Sequence, residues 1–214
     1  MIKKLDQKGF TIVELLIATS VFASILLIVT YGIIQISKMY TNGFIQSQTQ
    51  NVTVSLSDQV TRDIGFSSAS SITPDISAQV TVPGQGITTY YYFCTNQNEY
   101  FYLPGGSIYE ISLGNIGGQG CTPSVINNTK YSGYIQNLLS SNNMEILNHT
   151  SYYNQNMVSQ LSPGLYSANI DVLYGSTGNL VQNSIGTQWI CRPTVLIGPF
   201  CANYNLSTQV NTQD

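Results

Sequence analysis

Two features near the start of the chain have residue types suited to chemistry: a Gly-Phe junction, and an acid inside an apolar run. Gly9 and Phe10 follow a short leader that contains three lysines. Glu14 is the only charged side chain from Phe10 to Ile36. An ionised carboxylate at membrane depth costs about 2.5 to 3.5 kcal/mol or more, so an acid there usually has a partner and marks function. Because the run has no basic residue, the partner of Glu14 must come from elsewhere.

The apolar run has the length of a membrane-spanning helix. Residues 10–36 would form a helix of about 40 Å, enough to cross a hydrocarbon core. Lys3, Lys4 and Lys8 precede the run, and the cationic flank of such a segment stays in the cytoplasm. A cleavable secretory signal has a shorter apolar region, of roughly 7 to 15 residues. The sequence therefore predicts a single-pass cytoplasmic (inner) membrane protein with its amino terminus inside and the rest of the chain outside.

The segment from Lys8 to Ile17, KGFTIVELLI, resembles the type III signal of type IV prepilins and type II secretion pseudopilins. This resemblance implies that a membrane prepilin peptidase cuts after Gly9 and methylates the new amino terminus at Phe10. It also implies that Glu14 helps to assemble a filament with other pilin or pseudopilin subunits on an inner-membrane assembly platform.

Simple electrostatics explains why this arrangement would work. Cleavage after Gly9 would turn the peptide nitrogen of Phe10 into an amine with a pKa of about 8, largely cationic at neutral pH. The amine of one subunit could neutralise Glu14 of its neighbour in an apolar filament core. This ion pair would form only when the two subunits are in the correct axial register. Gly9 has no side chain, which suits a protease subsite. In the contrasting interpretation, Gly9 is only a turn and Glu14 an ordinary residue at the membrane face.

The length of the chain allows one globular domain beyond the helix. We predict a leader at 1–9 and the transmembrane or filament-core half of a long helix at 10–36. An amphipathic half of the same helix is expected at 37–66, and a β-rich globular head at 67–214.

The surface composition is polar but weakly charged. Charged residues make up 8% of the chain, against roughly 25% in an average soluble protein. Removal of residues 1–9 takes away three Lys and one Asp, which leaves four basic and nine acidic side chains and a net charge of −5. Because DNA binding relies on cationic neutralisation of phosphates, no nucleic-acid partner is expected.

The segment 37–66 has the pattern of an amphipathic helix that packs against a sheet. Ile45 widens its apolar stripe, and the charged residues lie largely off the stripe. The stretch from Leu56 to Ile64 is similar to the end of the long helix in the J-type pseudopilin and W-type pilin branch of minor pilins. The pilin resemblance implies that a sheet packs on this distal half. The stripe at four-residue spacing consists of Tyr40, Phe44, Gln48, Val52, Leu56, Val60 and Ile64.

Beyond the helix, the sequence indicates strands and hence an α+β fold. Residues 65–83 read as a connecting loop, with a short strand at 79–82. Three β-branched and aromatic runs, at 86–94, 99–103 and 107–112, predict an antiparallel meander. Later strands are expected at 164–173, 180–182 and 188–197, and a short helix at 131–140.

Four cysteines lie in the part of the chain expected outside the membrane, where disulfides are allowed. Their spacing favours two local bridges, Cys94 with Cys121 and Cys191 with Cys201, although four cysteines permit three connectivities. There is no Cys-x-x-Cys and only one His, so no metal site is expected. The loop between Cys191 and Cys201 is similar to the disulfide-bounded carboxy-terminal loop of many pilins, but stapling of a loop-rich head is the simpler account.

No catalytic site is predicted. His149 stands in a polar, loop-like stretch, and the sequence has no nucleophile motif, metal-ligand cluster or phosphate-binding loop. No cofactor is implied. The aromatic residues at 90–92 and 100–102, five of them tyrosines, could stack on sugars or aromatic surfaces, but at strand spacing half of the rings should face the core.

These observations predict a structural subunit whose function is polymerisation. A minor pilin fits best, because of the large head, the two candidate disulfides and the similarity at the helix end. A pseudopilin of a type II secretion or DNA-uptake machine is the close alternative. A signal-anchored surface or adhesion protein that never assembles is the contrasting class, and for that class Gly9 and Glu14 should be dispensable.

Overall fold

The chain divides into two compact units, residues 1–43 and 44–214. The distal part of the long helix, from residue 44 onward, thus belongs to the second unit. The computed structural model describes residues 11–82, 86–116, 121, 133–139, 143–182, 189–192 and 201–213.

The long helix α1 runs from Ile12 to Gly65. Its distal half buries one face, but the predicted four-residue stripe is wrong at its start, where Tyr40 and Phe44 are exposed. Four residues turn a helix by about 400°, so a strict four-residue stripe drifts by about 40° at each step. One step of three residues, from Thr53 to Leu56, returns the buried positions to the same face of the helix. The buried residues are accordingly Ile45, Thr49, Thr53, Leu56, Ser57, Val60 and Ile64.

Two buried threonines on this face explain how a helix with weak propensity is accommodated. The hydroxyl of Thr49 donates to the carbonyl of Ile45 at 2.9 Å, and that of Thr53 donates to the carbonyl of Thr49 at 2.8 Å. Each buried hydroxyl is therefore satisfied within the helix. Both threonines can therefore be buried on this face without an unsatisfied hydroxyl.

Eleven strands are found among the described residues. Five of them form one antiparallel sheet in the order β1-β2-β3-β4-β5. In a second sheet β8 is central, with β11 on one side and β6 and β7 on the other, and β9 pairs with β10. The strands are β1 (Thr73–Val82), β2 (Gly86–Cys94), β3 (Asn98–Tyr102), β4 (Ile108–Ser112), β5 (Gln136–Asn137), β6 (Met144–Ile146), β7 (Val158–Ser162), β8 (Leu165–Tyr174), β9 (Leu180–Gln182), β10 (Trp189–Cys191) and β11 (Ala202–Asn211).

The strand β1 replaces much of the loop predicted at 65–83 and extends the short strand predicted at 79–82 to ten residues. It pairs antiparallel with β2 from Ile76 onward, and its register is irregular between Thr73 and Ile76. Pro74 lies within that irregular stretch, which is where a strand tolerates proline. Because Pro74 and the serines of residues 65–83 are typical of loops, most of this ten-residue strand was predicted as a loop.

Two further predictions need correction. The helix expected at 131–140 is wrong at Gln136 and Asn137, which form β5 and pair with β4, and of its described residues only 133–134 are helical, as a 3-10 turn. The strand expected at 188–197 ends at Cys191 among the described residues, and 193–197 lie outside them. The predicted meander is confirmed, since β2, β3 and β4 pair in sequence order.

The main core lies between the distal helix and both sheets. Leu56, Val60 and Ile64 of α1 belong to one buried cluster with side chains of β2, β3, β4, β6, β7 and β8. The expectation that a sheet packs on the distal half of the helix is thereby confirmed. At about 1.5 to 3 kcal/mol for each large apolar side chain, burial of this kind dominates the stability of the second unit.

Polar contacts also join the helix to the first sheet. The carboxylate of Asp63 accepts hydrogen bonds from Tyr100 Oη and from Asn98 Nδ2, both at 2.6 Å. Glu110 on β4 accepts from Gln59 Nε2 at 2.7 Å. Burial, followed by the Asp63 carboxylate, raises the pKa of the Tyr100 phenol, which therefore remains a donor. These bonds fix the helix in register with β3 and β4.

One side chain completes the hydrogen bonding of β8. The strands β6 and β7 both pair with β8, and between them the chain leaves the sheet as a loop. The amide of buried Asn148 fills this gap, because its Nδ2 donates to the carbonyl of Asn169 at 2.8 Å and its Oδ1 accepts from the backbone N–H of Asp171 at 3.1 Å. Asn148 thus takes the place of a backbone peptide in the ladder.

Candidate functional site

The first turn of α1 is organised by a reciprocal pair of hydrogen bonds. The hydroxyl of Thr11 accepts from the backbone N–H of Glu14 at 3.3 Å. In return, Glu14 Oε2 accepts from the backbone N–H of Thr11 at 3.3 Å and from its hydroxyl at 3.1 Å. This is a capping box, with Thr11 at the N-cap and Glu14 three residues later. It satisfies two of the N–H groups that a helix start leaves without intrahelical partners.

The position of Glu14 is also electrostatically favourable within the single chain. A carboxylate in the first turn faces the partial positive charge of the helix amino terminus. Glu14 is nevertheless exposed, and its neighbours Val13, Leu15 and Leu16 are exposed apolar residues. The acid is therefore held by its own helix while remaining open to a partner.

The proximal half of α1 has no protein covering in the described chain. Its most apolar 18-residue window has a mean hydropathy of 2.6 and is 0% buried, which makes the helix long and apolar enough to cross a membrane. The hydroxyls of Thr19, Ser20, Ser24 and Thr30 donate to carbonyls one turn earlier at 2.7–3.0 Å. With these polar groups satisfied internally, the surface suits lipid or the helices of other subunits.

The structure places only part of the predicted processing site. Gly9 and Phe10 lie outside the described residues, and Glu14 lies in the first turn. Thr11 was missed in the sequence analysis, although Thr-x-x-Glu before an apolar run is the sequence signature of a capping box.

The amino-terminal segment matches a family model. Residues 4–30 match the model described as the prokaryotic N-terminal methylation motif. The motif supports a pilin- or pseudopilin-type protein that a prepilin peptidase processes, and the long helix with antiparallel sheets gives the chain an α+β, type IV pilin-like architecture. No curated protein and no solved structure matches the chain.

Both local disulfides are present in the head. Cys94 on β2 bonds to Cys121, with a Cα–Cα distance of 5.8 Å. Cys191 at the end of β10 bonds to Cys201 just before β11, with a Cα–Cα distance of 5.6 Å. The first closes a separation of 27 residues and the second one of 10. Disulfides are typical of domains outside the cytoplasm.

The tyrosine-rich strands are largely internal. Tyr92, Tyr100 and Tyr102 are buried, and rings on both faces of the first sheet pack into apolar clusters. Tyr91 is half-buried and is stacked by the ring of His149, with centroids 3.7 Å apart. The rings therefore offer no open stacking platform of the kind the sequence left possible.

His149 belongs to a buried polar cluster rather than to a polar loop surface. Its Nε2 lies 3.3 Å from Oδ2 of Asp75, whose side chain is 0% exposed. The same carboxylate accepts from Tyr102 Oη at 2.5 Å and from the backbone N–H of Met157 at 2.6 Å, and its other oxygen accepts from the N–H of Val158 at 3.3 Å. Asp75 therefore links β1 to β3 and to the start of β7. Burial and the Asp75 charge raise the pKa of Tyr102.

Among the described residues there is no group of three or more His, Cys, Asp or Glu that could hold a metal ion. The polar atoms of the Asp75 cluster are bonded to one another and join β1, β3 and the start of β7. The cluster is a structural junction.

A second buried acid, Asp171 on β8, makes stability depend on pH. Burial raises its pKa to about 6, and the hydrogen bond from Asn205 Nδ2 to Oδ1 opposes this only in part. Its Oδ2 is buried and accepts no hydrogen bond from the described residues. Burial also raises the pKa of Glu110 and Glu145, which therefore act in the same direction.

We expect the head to lose stability as the pH rises through about 6. The folded state holds the Asp171 proton more tightly than the unfolded state, so its contribution is complete below the ordinary pKa of 3.8 and is lost above about 6. The shift corresponds to about 3 kcal/mol. Urea midpoints of the full chain in detergent at pH 4.5 and 7.5 should differ less in Asp171→Asn than in the native protein. Asp58 is exposed, so the variant Asp58→Asn should show the same difference between the two urea midpoints as the native protein.

Proposed function

We propose that this protein is a minor pilin-like structural subunit of a type IV pilus, assembled through its amino-terminal helix. The observation that carries the proposal is the methylation motif at residues 4–30 together with Glu14, a capped and exposed acid in the first turn of an apolar helix. In this proposal, prepilin peptidase cleaves after Gly9 and methylates Phe10. The role is structural, and no cofactor is involved.

Assembly then follows from the electrostatics of the first turn. The new amine of Phe10 on one subunit pairs with Glu14 of its neighbour inside an apolar filament core. Because both groups are costly to place in such a medium alone and favourable together, a subunit in the wrong axial position leaves two charges unpaired. The exposed apolar surface of the proximal helix is covered first by lipid and then by other subunits.

The location follows from the same features. Lysines 3, 4 and 8 keep the amino terminus in the cytoplasm, and the two disulfides suit an extracytoplasmic head. The precursor is a single-pass inner-membrane protein that an assembly platform extracts into a filament. The stretch from Leu56 to Ile64 supports the J-type and W-type branch of minor subunits.

The first test is mass spectrometry of the amino-terminal peptide from cell-derived protein. We expect a chain that begins at Phe10 and carries an N-methyl group. An intact Met1 leader in cells with an active prepilin peptidase would instead indicate a plain membrane anchor. If the methylated protein is absent from purified filaments, the pseudopilin of a secretion or DNA-uptake machine replaces the pilus subunit.

Substitution of Gly9 by Val should block leader removal. A branched side chain at the residue before the cut disfavours the backbone conformation and the close fit that glycine allows. An immunoblot of membranes should show only the longer precursor, whereas Leu5→Val in the same leader should be processed normally. Mature-sized Gly9→Val protein would contradict recognition at this site.

A further inference from the structure

The exposed face of the distal half of α1 carries an acid and a base that the described chain leaves unpaired. Asp58 and Arg62 are both exposed, and they lie four residues, or about one helical turn, apart. This order of charges suits an ion pair along the surface of one helix. Nevertheless, neither side chain takes part in an ion pair or a hydrogen bond among the described residues. Both charges are therefore available to a partner.

The two charges lie along recesses on the same face. One recess has a volume of about 400 Å³, and its described lining residues all belong to α1, from Gln50 to Arg62. A second recess, of about 190 Å³, extends from Arg62 to Phe66, whose side chain is 66% exposed. The backbone N–H of Phe66 still donates to the carbonyl of Arg62 at 3.0 Å. The surface thus presents an acid, a base and an aromatic ring at successive turns.

The spacing of Asp58 and Arg62 equals that of Phe10 and Glu14. When the amine of Phe10 on one copy meets Glu14 of its neighbour, parallel helices are shifted by four residues, or about 6 Å. The same shift brings Asp58 of the first copy level with Arg62 of the second. It also brings Arg62 of the first copy level with the ring of Phe66, and a guanidinium beside an aromatic ring is favourable.

We propose that this face of α1 binds a second copy of the same chain, with Asp58 of one subunit paired to Arg62 of the next. The inference rests on the proposed function, because the shift is the one that the Phe10 and Glu14 pair requires. The two copies stay parallel, so both amino termini remain on the same side of the membrane. Each copy contributes different residues, and such a contact repeats along a filament rather than closing after two copies.

The neighbouring apolar groups strengthen this pairing. Val54 and Phe66 are 37% and 66% exposed in the single chain, and a second helix on this face would remove both from water. An ion pair that is partly covered in this way is screened less by salt than a fully exposed one. An Arg–carboxylate pair can also form two parallel hydrogen bonds, which fixes its geometry. Copies of this protein therefore lie side by side in the filament.

Disulfide cross-linking between two differently tagged copies in the same cells tests the pairing. One copy carries Asp58→Cys and the other Arg62→Cys, and both keep the leader and Glu14. Oxidation of membranes should give a mixed dimer with a yield about tenfold that of the control pair Asn51→Cys with Arg62→Cys. Residue 51 is also exposed, but it lies seven residues, or about 10 Å, further along α1. Equal yields from the two pairs would overturn the proposal.

Charge reversal gives an independent measurement without added thiols. Asp58→Arg alone would place two guanidinium groups together and should reduce copurification of two tagged copies from detergent-solubilised membranes at least about fivefold. The double variant with Asp58→Arg and Arg62→Asp restores opposite charges and should return copurification to the native level. A double variant that remains as low as the single variant contradicts the contact.

Mass spectrometry of Phe10 in the same samples separates this inference from the proposed function. If Phe10 is methylated but the 58–62 linkage is not formed, the pairing of copies is wrong and the assembly role of Glu14 is unaffected. If Phe10 is not methylated, the proposed function is contradicted, and the shift on which the contact depends is lost with it.

Discussion

Replacing Asp75 by Ala should lower the free energy of unfolding of the head by about 3 to 5 kcal/mol, a large part of the 5 to 15 kcal/mol of a typical domain. The buried carboxylate accepts hydrogen bonds from two backbone N–H groups and from the phenol of Tyr102, and it also contacts the ring of His149. Without it, donors in the interior lose their acceptor, and each costs about 1 to 3 kcal/mol. Denaturant unfolding of the full chain in detergent, followed by tyrosine fluorescence, measures the loss.

Two variants show whether the loss comes from this junction. Asp58→Ala removes an exposed acid from α1 and should change the stability by less than about 0.5 kcal/mol. Tyr102→Phe removes one donor and should cost about 1.5 to 3 kcal/mol. If the free energies of unfolding of Asp75→Ala and Asp58→Ala differ by less than about 1 kcal/mol, the carboxylate of Asp75 does not hold the sheets together.

Substitution of Glu14 by Ala should leave leader cleavage intact and reduce incorporation into sheared filaments at least about tenfold, which corresponds to 1.4 kcal/mol. The amine of Phe10 on the neighbouring subunit would then lie uncompensated in apolar surroundings, and an unpaired charge there costs more than that amount. Immunoblots of the membrane and filament fractions measure processing and incorporation separately.

The capping box offers a matched pair of controls. Glu14→Gln retains a side-chain oxygen that can accept the N–H of Thr11, but it removes the charge. Thr11→Val keeps the charge and removes the hydroxyl that accepts from the N–H of Glu14. We expect Glu14→Gln to fail in assembly like Glu14→Ala, and Thr11→Val to assemble. The reverse result would assign the effect to helix capping.

Periodicity and local composition were enough to predict much of the framework. The run 86–94 is rich in β-branched and aromatic residues, and it forms β2 with these bounds. The helix and the meander were recognisable for the same reason. Both disulfides could be predicted because each joins the nearer cysteine along the chain.

The strands β5, β6, β7 and β11 were not predicted, and only the last four residues of β1 were predicted as a strand. β1 has a proline at its second residue, and its apolar residues, Ile76, Val80 and Val82, occupy alternate positions with polar residues between them. β11 also alternates, with Tyr204, Leu206 and Val210 on one face, but amides on its other face lower its overall hydrophobicity. Alternation rather than mean hydropathy was the signal in both cases.

The buried polar cluster could not have been predicted from local sequence. His149 and Asp75 are separated by 74 positions, and Asp75 and Met157 by 82. No spacing rule links such residues, because their proximity depends on how β1 lies beside β7. His149 also has a left-handed backbone, with φ of 59°, which is uncommon for a residue other than glycine.

Because the amide of Asn148 completes the β8 ladder, the loop between β6 and β7 is a position where a foreign peptide can be inserted. The amide does so from one end of the loop, and Met157 resumes the ladder at the other end through its carbonyl. Asn154, Gln155 and Asn156 between them are exposed. A short epitope or a fluorophore acceptor peptide inserted there would leave the register of β8 unchanged, so individual subunits could be followed in living cells.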